Sequence, residues 1–95
     1  MDATYLVECF WPDMTHERVV AATQRISGGT SATCVAVIVV PVDDIVLYLF
    51  EADTETEVWD VARQAGLPCE RIVETVSIRP LDANANSGPH SWPRF

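Results

Sequence analysis

Positive charge is scarce in this chain: 6 basic residues stand against 14 acidic ones, a net charge of −8 over 95 residues. With no cluster of Lys or Arg, a phosphate backbone or an anionic membrane surface would be repelled, which argues against nucleic-acid or membrane partners. Long hydrophobic runs are also missing. The longest are about half of the roughly 20 residues that span a bilayer. The opening Met1-Asp2-Ala3-Thr4 lacks the basic and apolar regions of a secretory signal, so a cytoplasmic protein is expected. Cysteine is limited to Cys9, Cys34 and Cys69, with no C-x-x-C spacing, which predicts reduced thiols acting as small buried hydrophobes. No G-x-S-x-G, H-E-x-x-H, P-loop or G-x-G-x-x-G occurs, and Gly28-Gly29 alone marks a turn.

What is present is an unusual pair of apolar runs, Ala32 to Val40 and Ile45 to Ala52, joined by Pro41-Val42-Asp43-Asp44. Neither alternates apolar with polar, as a strand with one wet face would. A sheet built on them needs cover on both faces. Two helix-like segments suffice for one face; a second copy of the chain is the most economical cover for the other.

The remaining elements follow from punctuation. Thr4 to Trp11 reads as a first strand, closed by Pro12-Asp13. Thr15 is placed to cap a helix from His16 to Ile26, with Val19, Ala22, Thr23 and Ile26 on one face. Residues 27–31 form a loop by composition. The second and third strands are the two apolar runs. Thr54 and Glu57 form a capping box for a second helix whose stripe is Val58, Val61, Ala62 and Ala65, ended by Gly66-Leu67-Pro68. Arg71 to Ile78 is the fourth strand. The order βαββαβ, with right-handed crossovers, predicts an α+β, ferredoxin-like sandwich: a four-stranded antiparallel sheet in spatial order 4-1-3-2, dimeric through its open face. Residues 1–80 make this domain. Residues 81–95, rich in Asn, Ser, Gly and Pro but containing His90, Trp92 and Phe95, form a tail that is flexible or docked on a partner.

The stretches Leu49-Phe50-Glu51-Ala52, Ala62-Arg63-Gln64-Ala65-Gly66-Leu67-Pro68 and Arg71-Ile72-Val73-Glu74 resemble a family of small uncharacterised bacterial proteins, some of them described as nickel-binding. The first strand of that family, Tyr-x-Val-Glu-Arg, is matched by Tyr5-Leu6-Val7-Glu8-Cys9 except at its last position. The resemblance covers residues 4–78 and implies a dimeric ferredoxin-like fold. It further implies a divalent metal such as nickel, or a small ligand, as cargo. Where many members carry an aromatic, polar second strand, this chain has Cys34-Val35-Ala36-Val37-Ile38-Val39.

Three glutamates interrupt apolar strands: Glu8, Glu51 and Glu74. If they share the sheet face away from the helices, they form a carboxylate group able to act as acid or base, or to hold a divalent cation. The same positions also suit ion pairs with Arg71 or Arg79. His16 and Glu17, beside Asp13, are the candidate metal ligands. Trp11, Trp59 and Tyr48 suit either an apolar cavity or core and interface packing. The reading that follows is a small homodimeric binding protein without catalysis of its own. The alternatives are a cofactor-free dimeric α+β-barrel enzyme of isomerase, cyclase or monooxygenase type, and a pure assembly or regulatory module.

Overall fold

The computed structural model of the chain describes residues 3–26 and 32–76. Among these residues the order is β1 (Ala3–Phe10), α1 (His16–Ile26), β2 (Thr33–Val40), a 3₁₀ turn (Pro41–Asp43), β3 (Ile45–Ala52), α2 (Glu55–Gln64) and β4 (Cys69–Thr75). The strands form one antiparallel sheet in the order β2-β3-β1-β4, as the sequence predicts. The expected tail (81–95), the loop over 27–31 and the end of the fourth strand lie outside the described residues.

Local chemistry accounts for the helix ends. The Arg18 amide donates to the Thr15 hydroxyl at 3.2 Å, the expected cap of α1. In α2 the Thr54 hydroxyl accepts from the Glu57 amide at 3.3 Å, and the Glu57 carboxylate accepts from the Thr54 amide at 3.4 Å. Gly66, at φ 71°, closes the helix. Its amide donates to the Arg63 carbonyl at 3.1 Å and the Leu67 amide to that of Ala62 at 3.0 Å, the paired bonds of a Schellman ending. Arg25 Nε then reaches from α1 to the Ala65 carbonyl at 2.7 Å, joining the two helix ends.

One core lies between helices and sheet. Tyr5, Val7 and Cys9 of β1, Val46, Tyr48, Phe50 and Ala52 of β3, and Ile72 of β4 point into it. Val19, Ala22 and Ile26 of α1 and Val58, Val61 and Ala62 of α2 meet them. Both helices therefore cover the same face. Trp11 and Trp59 pack at the margin of this core, and Tyr48 is wholly inside it. These aromatics take the packing role.

Two bulges alter the ladders. In β2 the register shifts between Cys34 and Ala36, leaving Val35 unpaired. In β4 the pairs Glu8–Arg71 and Cys9–Cys69 are consecutive, so Glu70 is the extra residue. The fourth strand accordingly begins at Cys69, two residues earlier than the sequence suggests. At the hairpin the expected tight link is a 3₁₀ turn with Asp44 left-handed at φ 55°.

Candidate functional site

The opposite face of the sheet is uncovered by any described element, and its register resolves it into four cross-strand rows. The first, Thr33, Glu51, Thr4 and Thr75, is polar. The second, Ala36, Leu49, Leu6 and Val73, is apolar throughout. The third runs Ile38, Leu47, Glu8, Arg71, and the fourth holds Val40, Ile45 and Phe10. Ile38 is 50% exposed and Phe10 48%. An apolar field thus lies open, bounded at one end by threonines and a carboxylate.

The three glutamates do not converge. Glu8 and Glu51 do face the open side, but Glu51 stands opposite Thr4, four residues along β1 from Glu8. At about 3.3 Å per residue that separates them by about 13 Å along the strand. Glu74 stands opposite Tyr5, and so belongs to the helix side of the sheet. The shared carboxylate group expected from the sequence is not formed. Alternation had fixed the period of β4 but not its phase, because Ile72 and Val73 are both apolar.

Glu8 instead takes the ion-pair option. Arg71 Nε lies 2.6 Å from Glu8 Oε2, directly across the β1–β4 ladder. The Arg71 side chain is 67% exposed in the isolated chain, so the pair contributes about 0.2–1 kcal/mol there. A cation aimed at Glu8 would have to displace this partner. Glu51 is exposed at the polar end.

His16 and Glu17 are both exposed in the first turn of α1. Among the described residues no three His, Cys, Asp or Glu side chains come together as a metal-binding group. Any metal site using His16 and Glu17 therefore needs donors from outside these residues.

Two features escaped the sequence reading. Around Tyr5, acidic groups gather from β4, α2 and the loop before α2: burial raises its phenol above the usual value, and Glu74, Glu55, Glu57 and Asp53 raise it further. Two of these acids, Glu55 and Glu57, lie in the first turn of α2, where the helix dipole favours them. The second is Tyr48. Its hydroxyl is buried, with no hydrogen-bond partner in ordinary geometry among the described residues. Burial raises this phenol too, while the nearby Thr23 hydroxyl, itself donating to the Val19 carbonyl at 2.7 Å, lowers it in part.

This architecture defines a small α+β protein whose two helices cover one face of a four-stranded antiparallel sheet. No family model and no curated protein matches the chain. Among solved structures it is similar to SCO4226 from Streptomyces coelicolor A3(2), with a TM-score of 0.71 and 17% sequence identity over 80% of this chain and 100% of that one. At that identity the likeness is one of fold.

Proposed function

We propose that the chain is a ferredoxin-like module that works as a homodimer, two copies stacking their open sheet faces. The observation that carries this reading is the apolar field of Leu6, Leu49 and Val73, flanked by Ile38, Leu47, Ile45 and Phe10, on a face that no described element covers. Four strands at about 4.8 Å spacing and eight residues at about 3.3 Å give a face of about 19 by 26 Å. That plan area is of the order of the ~800 Å² of accessible surface per partner in a standard interface, and sheets stack face to face in this way at about 10 Å. The net charge of −8 disfavours polyanionic partners and also sets two copies against each other, a repulsion that salt screens and that the face itself, with only Glu8, Arg71 and Glu51 charged, adds little to.

The resemblance to a partly nickel-binding family supports a second component, the holding of a divalent cation by His16 and Glu17 together with further donors. Glu8 is less suited to a ligand than the sequence implied, because Arg71 already engages it. This favours assembly as the main task. Calorimetric titration of the purified chain with Ni²⁺ separates the two components. Saturable heat that disappears in His16→Ala supports the metal reading; no heat leaves assembly alone and rejects it.

A further inference from the structure

Cys9 and Cys69 are direct partners across the β1–β4 ladder. The Glu70 bulge is what sets them on one face. Without the extra residue, Cys69 would share the side of Arg71 and point to the open face. With it, Cys69 packs against the same core that encloses Cys9. Directly opposed residues in an antiparallel pair have Cα atoms about 4.5–5.5 Å apart, inside the roughly 4.4–6.8 Å that a disulfide requires. Cys34 cannot substitute for either one. It lies on β2, about 9–10 Å from β1 across β3 and about 13 Å further along the strands, level with Tyr5 and not with Cys9.

We propose that Cys9 and Cys69 form a thiol pair that closes reversibly into an intramolecular cross-strand disulfide when challenged by a low-molecular-weight disulfide such as oxidised glutathione.

The two sulfurs have different access. Cys69 is half-buried on an edge strand, its thiol donating to the Arg71 carbonyl at 3.7 Å, whereas Cys9 is 1% exposed. Cys69 is therefore the group a solvent oxidant meets. Its thiolate attacks one sulfur of oxidised glutathione, forming a mixed disulfide and releasing one glutathione thiolate. The Cys9 thiolate then attacks the Cys69 sulfur and expels the second glutathione. In total two protein thiols give up two protons and two electrons, and one glutathione disulfide becomes two glutathione thiols. The second step needs no solvent access, because attacker and target already face each other. Burial pushes the Cys9 thiol up to about 12, with Cys69 and Glu70 adding to it, and raises the Cys69 thiol as well, so both steps quicken as the pH rises. Cys69 lies on the helix side, so stacking through the open face leaves it reachable.

The test uses the full chain incubated with oxidised glutathione, then denatured, alkylated, and read by intact mass and peptide mapping. The expected result is loss of two of the three alkylatable thiols, a linked Cys9–Cys69 peptide, no covalent dimer, and full recovery on reduction. Cys34→Ser should still lose two thiols. The oxidised chain should also unfold at a higher temperature, since the bond closes the long loop between the strands. Three alkylated cysteines, glutathione retained on Cys69 of the unsubstituted chain, or a bond between chains would each overturn the proposal.

Discussion

The Cys9 thiol couples stability to alkaline pH. Burial holds it at about 12 against the ordinary 9.0, so the folded chain keeps a proton that the unfolded chain releases. Below about pH 9 both states are protonated and the stabilising contribution of the neutral thiol is fully present. As pH rises from about 9 to about 12 the unfolded state gains by ionising, and stability falls by about 1.4 kcal/mol per pH unit from this group. Cys34, Cys69, Tyr5 and Tyr48 are raised in the same direction, chiefly by burial. Urea unfolding between about pH 8 and about pH 11 should show this decline, shallower in Cys9→Ala; equal slopes in the two proteins would refute the assignment. That Cys9 is a buried hydrophobe was legible from the scarcity and spacing of cysteine, whereas Cys34 and Cys69 are only half-buried. That Cys9 and Cys69 oppose each other was not legible, because nothing in Cys69-Glu70-Arg71 marks a bulge.

Among the elements, α2 was the most legible, since its start and stop depend on residue types with specific local chemistry. Thr54 and Glu57 satisfy the first amides, and Gly66 supplies a left-handed residue that other side chains adopt only at a cost. A Cβ at Gly66 would meet Arg25 Nη2 at 3.8 Å, an ordinary contact, so the cost of a side chain there is one of backbone alone. Gly66→Ala should therefore destabilise by about 1–2 kcal/mol with an unchanged denaturant slope. A loss well beyond that range would mean that Gly66 also avoids a clash. β4 was the least legible element. Its apolar residues occupy both parities, and its Glu70 bulge carries no Gly or Pro, so neither phase nor register could be read. For this reason the sequence leaves the face of Glu74 undecided, and the register puts it on the helix side.

At the scale of the molecule, the order of strands followed from element order and the handedness of crossovers, and it is the order observed. The need to cover the second face was legible in the unbroken apolar runs. Its occupant was not, since a sequence states what must be buried and not against what. Leu47 tests the proposed occupant. It lies on the open face, outside the helix-side core, midway along β3. Leu47→Asp should leave the circular dichroism of the chain intact while sedimentation velocity shifts from dimer to monomer. A dimer of unchanged affinity in Leu47→Asp would place the interface elsewhere.

The central position of β1 has a consequence for how the chain can assemble. Its two neighbours, β3 and β4, both come later in the chain, and its far ladder joins Thr4 to Thr75. The β2–β3 hairpin closes locally across Pro41–Asp44, but the first strand has no partner within its own neighbourhood of sequence. During synthesis the first strand therefore waits without a ladder partner until β3 has left the ribosome, and it gains its second edge only once residue 75 has followed.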